Sequence, residues 1–344
     1  MQKKSLVLLI LLIFVSACNK KEILYVQETP SEPHPEQTEQ TEQTEQIDIA
    51  IVPKVKEIPY FQAVQQGVEE AAKSSGATVH FKGPATADPA QQEEIIRTFI
   101  KQDVDVLAVS VIDPDRLTPV LAEARRQGIT VLTWDADAHP EARDYFINMV
   151  DAEMLGEHLL DSLAAQIGEE GEYIVLSGSQ SSLNQEEWLH WIKQHNRAYY
   201  PNLILREVAY TNDSPVTAYQ ESKRVVKAYP DLKGIIGIAS LGPPAAAAVL
   251  KEENLSNDIA IVGLASPRDM NEHLKEGNVQ GITMWSPKKL GYLTVMIAKL
   301  MQEDAVIEDG MLIDGVGRIQ VKGEQIIMGE PIDFTAENVD QYDF

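Results

Sequence analysis

The sequence predicts an α/β protein with two lobes, each built on a doubly wound parallel sheet. From Ile47 onward, short apolar runs alternate with amphipathic stretches, which is typical of βαβ units. The same alternation begins again near residue 151, so about 300 residues divide into two sets of ordinary domain size. Because parallel strands are joined by right-handed crossovers, we expect helices on both faces of each sheet.

In the first half, apolar runs predict five strands, at residues 47–55, 78–81, 104–109, 129–134 and 145–150. Helices are predicted between them, at residues 60–75, 89–102 and 116–127. The first helix carries Phe61, Val64, Val68 and Ala71 on one face, as a helix packed on a sheet requires.

In the second half, helices are predicted at residues 152–166, 185–199, 216–228, 243–251, 268–275 and 287–302. Strands are predicted at residues 173–176, 204–209, 234–238, 259–264 and 281–284, with short β runs at 318–321 and 325–328. We therefore expect lobe 1 to comprise residues 47–150 and 266–285, and lobe 2 to comprise residues 151–265 and 286–344.

The N-terminus indicates export. Lys3 and Lys4 precede an apolar run at residues 5–15, which suits the hydrophobic region of a signal peptide. The run ends in Val15-Ser16-Ala17-Cys18, the pattern of a bacterial lipobox, so we predict a signal peptide over residues 1–17 and lipidation of Cys18. The alternative is ordinary secretory cleavage near Ala17 with an incidental cysteine. Cys18 is the one cysteine of the sequence, which excludes an internal disulfide.

Residues 18–46 predict a disordered tether between the membrane and the folded part. They hold three prolines followed by three consecutive Thr-Glu-Gln repeats. Such a segment has little apolar surface to bury and cannot offset the entropy of ordering.

Composition and motifs argue against several functions. The net charge is −24, and no basic stripe occurs, so nucleic-acid binding is excluded. The sequence contains no P-loop and no Gly-x-Ser-x-Gly elbow, and His190 and His195 lack a metal-type spacing. Asp135 and Asp137 form a candidate acid–base pair, but two residues apart after a strand they would point in different directions. We therefore expect a binding protein without a cofactor or metal, not an enzyme.

Ligands of doubly wound sheets bind beyond the carboxyl ends of the strands. The residues at those predicted positions include carboxylate, ammonium, amide, hydroxyl and aromatic groups, which together suit a polyhydroxylated ligand. The candidate ligand-binding residues are Lys54, Tyr60, Phe61, Asp135, Asn184, Gln185, Ala239, Ser240, Ser266 and Trp285.

Three segments resemble a known family: Ile51-Val52-Pro53-Lys54, Thr133-Trp134-Asp135-Ala136-Asp137 and Lys227-Ala228-Tyr229-Pro230-Asp231-Leu232. The chain is similar to the type I periplasmic sugar-binding proteins of ABC importers, and within them to the Lsr-type autoinducer-2-binding and rhamnose-binding subgroup. The similarity runs from about Ile47 to the end. It implies two Rossmann-like lobes, three hinge crossovers and a ligand held in the cleft.

The resemblance also implies roles for individual residues. The autoinducer receptor's lysine matches Lys54, its aspartate after the tryptophan matches Asp135, and its glutamine matches Gln185. Where the receptor has a second-lobe aspartate this chain has Asn184, and the receptor's Pro-Asp-Ala loop falls on residues 238–240. The amide of Asn184 introduces a hydrogen-bond donor where the receptor's carboxylate has only acceptors. This changes which arrangement of ligand hydroxyls the site can bind.

Together these features indicate a monomeric, extracytoplasmic lipoprotein that binds a sugar or sugar-like signal for an ABC permease. Autoinducer-2 is one candidate ligand and a related aldose another. A receptor that presents its closed form to a membrane histidine kinase would use the same lobes and stays an alternative. A transcription regulator of the LacI type shares this fold, but the signal peptide and the missing helix-turn-helix argue against it.

Overall fold

The computed structural model describes residues 46–344, so the predicted signal peptide, the lipidation of Cys18 and the tether up to residue 45 lie outside the described part. The first half forms five parallel strands: β1 (Asp48–Val52), β2 (Thr78–Phe81), β3 (Val106–Val109), β4 (Thr130–Trp134) and β5 (Tyr145–Asn148). Helices α1 (Pro59–Ser75), α2 (Pro89–Lys101) and α3 (Pro114–Arg126) connect the first four strands, as the sequence predicts, and a 3₁₀ turn at Pro140–Ala142 lies between β4 and β5.

The second half alternates helices and strands in the same way. Its elements are α4 (Ala152–Ile167), β6 (Glu170–Ser177), α5 (Leu183–Tyr199), β7 (Asn202–Tyr210), α6 (Pro215–Ala228), β8 (Leu232–Gly237), α7 (Gly242–Glu252) and β9 (Ala260–Gly263). The four strands form a parallel sheet in the order β7-β6-β8-β9, which we call the second sheet. The predicted α/β class with parallel sheets is confirmed.

The C-terminal part contributes elements to the first sheet and beside the second sheet. It contains α8 (Pro267–Lys275), β10 (Ile282–Met284), α9 (Pro287–Gln302), β11 (Leu312–Ile313), β12 (Gly317–Arg318), β13 (Gln320–Lys322), β14 (Gln325–Ile327) and β15 (Ile332–Phe334). Strand β14 pairs in parallel with β5, and β13 pairs with β14, which completes a seven-stranded first sheet in the order β13-β14-β5-β4-β3-β1-β2.

These pairings correct the predicted assignment of C-terminal segments to lobes. Residues 266–285, expected beside the first sheet, lie beside the second, because Leu264 bridges to Thr283 of β10 and α8 packs on α7. Residues from 287 to 327, expected with the second sheet, lie with the first, since α9 packs on α1 and β14 pairs with β5. Strand β15 then returns to pair with β10. The chain thus crosses between sheets near residues 150, 285 and 330, and not near 265.

Helices begin where the sequence supplies a cap. Proline is the first residue of α1, α2, α3, α6, α8 and α9, where its missing N–H would lack a helical partner anyway. Asp88 and Asp113 precede two of these prolines, and each side chain accepts a hydrogen bond from a first-turn backbone N–H. These caps fix where each helix leaves the strand end before it.

Helices α1 and α9 approach closely enough that glycine is needed on both. A Cβ on Gly67 would lie 1.8 Å from the carbonyl oxygen of Lys288, and one on Gly291 would lie 2.2 Å from that of Val64. Because both obstacles are backbone atoms, a larger side chain would force the helices apart. This contact holds the C-terminal part against the first sheet.

Among residues 46–344, no helix combines the length and hydrophobicity needed to cross a membrane.

Candidate ligand-binding site

A cavity lies at the carboxyl ends of strands from both sheets. This is the position expected for ligands of doubly wound sheets. Nine of the ten predicted residues line the cavity: Lys54, Tyr60, Phe61, Asp135, Asn184, Gln185, Ala239, Ser240 and Trp285.

Asp135 is the central acceptor on the wall formed by the first sheet. Its carboxylate accepts hydrogen bonds from the hydroxyls of Tyr60, at 3.0 Å, and Ser110, at 2.6 Å. The ammonium of Lys54 lies 4.0 Å from Oδ2 of Asp135. Burial, reinforced by the charge of Asp135, holds the pKa of Tyr60 well above its ordinary value, so this phenol stays a protonated donor.

The backbone at Asp135 is held in an unusual conformation. Its φ is 61°, in the left-handed region, and the N–H of Ala136 donates to the carbonyl of Trp134 at 2.6 Å. This is the hydrogen bond of a tight γ-turn centred on Asp135. Such strain persists only where the surroundings impose it, and it clusters at functional sites. The turn places the carboxylate directly beyond the end of β4.

Hydrogen bonds cross the cavity from one sheet to the other. Lys54, which follows β1, donates to the hydroxyl of Ser182 before α5 at 2.5 Å, and Ser182 donates to Oδ1 of Asn184 at 3.0 Å. The indole N–H of Trp285, which follows β10, donates to the hydroxyl of Tyr60 at 3.0 Å. The two walls are therefore joined by polar contacts in this structure.

On the wall formed by the second sheet, Gln185 is fixed by its carbonyl oxygen. That oxygen accepts from the backbone N–H of Gly178 at 2.7 Å and from the hydroxyl of Ser177 at 3.0 Å. Asp213, which follows β7, is half-buried in the same wall. Burial raises the pKa of the Asp213 carboxyl; the Lys54 charge opposes this rise and the Asp135 charge adds to it.

Aromatic rings form the apolar part of the lining. The ring centroids of Trp188 and Trp285 lie 5.8 Å apart, and Tyr60 meets Trp285 edge to face at 6.3 Å. Flat aromatic surface beside carboxylate, ammonium and amide groups can cover the C–H face of a sugar ring while its hydroxyls are hydrogen-bonded. Nothing in this lining resembles a nucleophile with its base.

One predicted residue lies elsewhere, and Asp137 is directed away from Asp135, as their spacing predicts. Ser266 does not line the cavity, because its hydroxyl caps α8 by accepting from the backbone N–H of Asp269 at 3.0 Å. The carboxylate of Asp137 is paired with Arg143 at 3.0 Å and accepts from Thr133, so it is not an acid–base partner for Asp135.

The structure adds lining residues that the sequence did not single out: Ile58, Trp188, Asp213, Leu264 and Met284. It also adds Ser182 as the bonding partner of Lys54. Asp213 comes three residues after β7, so the strand-end rule, applied to that strand, would have found it. Trp188 lies in the second turn of α5, and no sequence signal separates it from a core tryptophan.

Comparisons with known proteins agree with this architecture. Residues 49–304 match the periplasmic binding protein domain. A D-xylose-binding periplasmic protein of Haemophilus influenzae is 32% identical over 108 residues, which is 31% of this chain and only 32% of that protein. It is named as a binding protein and not as an enzyme.

Two solved structures share the fold over most of the chain. A solute-binding protein of an ABC transporter from Clostridium phytofermentas, with bound L-rhamnose, is 26% identical with a TM-score of 0.80, covering 86% of this chain and 98% of that one. LsrB from Clostridium saccharobutylicum, in complex with AI-2, is 21% identical with a TM-score of 0.80, covering 87% and 100%. The family match over most of the folded part and the cavity between two parallel sheets lead to one conclusion: the chain belongs to the periplasmic binding protein domain family.

Proposed function

We propose that this protein is an extracytoplasmic solute-binding protein that delivers a small polyhydroxylated ligand to an ABC importer. The ligand is a sugar or a sugar-like signal, with autoinducer-2 and a related aldose as the candidates. The observation that carries the proposal is the cavity itself, where carboxylates, an ammonium, amides and aromatic rings converge from both sheets. Relatives that bind D-xylose and L-rhamnose support a sugar as the ligand.

In this proposal the ligand is held between two lobes that close on it. One lobe is the first sheet with α9, and the other is the second sheet with β10 and β15. The chain crosses between them near residues 150, 285 and 330, and these crossings serve as hinges. A ligand in the cavity would add contacts to both walls and stabilise the closed arrangement.

We further propose that the protein is attached to the outer face of the cell membrane through a lipid on Cys18. The segment 18–46 would then act as a spacer that lets the folded part reach a permease. An acidic chain without basic stripes keeps such a protein soluble at the end of its tether.

A thermal-shift panel of D-xylose, L-rhamnose, autoinducer-2 and further pentoses and hexoses tests the binding role. A ligand at about 100 times its dissociation constant stabilises the folded state by roughly 2.7 kcal/mol, which raises the melting temperature measurably. Small-angle scattering with the same compound should show a smaller radius of gyration. A panel in which no compound shifts the melting temperature would contradict the proposal.

A further inference from the structure

Asp213 occupies a turn that extends the pairing of the second sheet beyond its strands. The N–H of Thr211 donates to the carbonyl of Ser177 at 2.8 Å, and the N–H of Asn212 donates to that of Gly178 at 2.6 Å. Asn212 and Asp213 then both have left-handed φ angles, of 52° and 48°. Two consecutive non-glycine residues in this region are uncommon, and such strain accumulates at functional sites. The turn brings the Asp213 side chain to the wall of the cavity.

Within residues 46–344, the Asp213 carboxylate does not cap a helix or pair with a cation. The cap of α6 is the neighbouring Ser214, whose hydroxyl accepts from the N–H of Thr217 at 3.3 Å. Among residues 46–344, Asp213 takes part in no hydrogen bond or ion pair within 4.0 Å, and burial raises the pKa of its carboxyl. A partly desolvated carboxylate without a hydrogen-bond partner destabilises the unliganded protein when it is ionised.

An unused donor lies beside this unused acceptor. A Cβ built on Gly178 would be 2.5 Å from Oδ1 of Asp213 and 2.9 Å from Nε2 of Gln185, so both groups occupy the space that this glycine leaves open. The side-chain carbonyl of Gln185 must face the N–H of Gly178, which settles the orientation of the amide. Its NH₂ group has no hydrogen-bond partner among the residues described.

We infer that Asp213 is a ligand-binding residue that determines specificity, the counterpart on the second sheet of Asp135 on the first. A single ligand hydroxyl can donate to Asp213 and accept from the NH₂ group of Gln185. Two carboxyl groups facing one ammonium make the cavity unfavourable for an anionic sugar and suited to a neutral polyol. This inference rests on the proposed function.

The test is Asp213→Asn in the full-length protein, which keeps the size of the side chain and removes its charge. Asp103→Asn is the matched control, since Asp103 is exposed and has a left-handed φ of 55°. The control measures how much asparagine in place of aspartate raises the melting temperature at a left-handed backbone position. The unliganded melting temperature of Asp213→Asn should equal or exceed that of wild type, beyond any change in the control.

Calorimetry with whichever of D-xylose, L-rhamnose and autoinducer-2 binds wild type supplies the second readout. Loss of a charge-assisted bond should weaken binding by Asp213→Asn at least about tenfold. Gly178→Ala keeps the charge and displaces both Asp213 and Gln185, and it should weaken binding as well. Asp103→Asn should bind as wild type does.

The possible failures are distinguishable. If wild type binds a probe and Asp213→Asn binds it equally well, the inference is overturned and the proposed function stands. If Asp213→Asn is unfolded or melts below wild type while the control does not, the carboxylate is structural and the inference is also overturned. If wild type binds no compound of the thermal-shift panel, the proposed function is overturned and this inference with it.

Discussion

Replacing Asp135 with alanine should affect both stability and binding, and the structure allows the two effects to be separated. The hydroxyls of Tyr60 and Ser110 would lose their buried acceptor, at about 1–3 kcal/mol each. Alanine at a φ of 61° adds about 1 kcal/mol. Removing a carboxylate that lies 4.0 Å from Lys54 also leaves that ammonium without its nearest counter-charge. We expect the free energy of unfolding to fall by at least about 3 kcal/mol.

Urea denaturation of the unliganded protein measures this change. Urea lowers the free energy of unfolding by about 3 kcal/mol per molar, so the midpoint of denaturation should fall by at least about 1 M. Asp103→Ala is the matched control, because it places alanine at an exposed left-handed position and should lose only about 1 kcal/mol. The difference between the two variants isolates the hydrogen bonds of the buried carboxylate.

Asp135→Asn separates binding from folding. Asparagine tolerates a left-handed φ and keeps one acceptor, so stability should fall by only about 1 kcal/mol, whereas sugar binding should weaken about tenfold or more. An unchanged urea midpoint in Asp135→Ala would refute the structural argument. Unchanged affinity in Asp135→Asn, by calorimetry, would place the ligand elsewhere.

Three further outcomes are expected. Cys18→Ala should move the protein from the membrane fraction to the soluble fraction; wild type that is soluble with an unmodified thiol would contradict the lipobox prediction. Gly67→Ala should lower the free energy of unfolding by about 3 kcal/mol, because its Cβ meets the backbone of Lys288, and an unchanged denaturation midpoint would show that the helices separate without loss. The hydrogen bond from His158 to Asp333 at 2.8 Å raises the pKa of His158 above 6.5 in the folded protein. Protonated His158 therefore stabilises the fold fully below pH 6.5, and this stabilisation is lost as the pH rises through the raised pKa. Stability curves of wild type and His158→Gln should converge with rising pH, and a constant gap would refute this coupling.

Local sequence patterns predicted the helices and the strands of the two main sheets, but they missed β11 and β15 and did not predict which strands pair. Asp-Pro pairs such as Asp88-Pro89 mark a helix start within the chain itself, and α2 begins at this proline. No local signal tells β14 to pair with β5, because that pairing depends on a surface formed by distant residues. The wrong lobe assignment of residues 286–327 has this cause.

The lining of the cavity was largely predictable, because its residues lie where parallel strands end. The rule placed Lys54 and Asp135 correctly at the cavity, since each follows its strand within two residues. The same rule wrongly placed Ser266 at the cavity. The sequence Ser-Pro-Arg-Asp is also a helix-capping pattern, and in the structure Ser266 forms the cap of α8. Whether a carboxylate is unpaired, as at Asp213, depends on which neighbours the fold brings within reach, and no sequence pattern contains that distance.

The return of the chain to the first sheet determines the order in which that sheet can assemble. Ile147 of β5 and Ile326 of β14 are paired although roughly 180 residues separate them, and contacts of such long range slow folding. Until β14 is available, β5 is an edge strand whose backbone groups on one side are unpaired, which is a hazard for aggregation. A chain that has emerged only as far as α9 already holds β1 to β5 but not the strands that cover this edge. The first sheet can therefore be completed only when nearly the whole chain is available. Until then, the edge of β5 is the surface that a chaperone would have to protect.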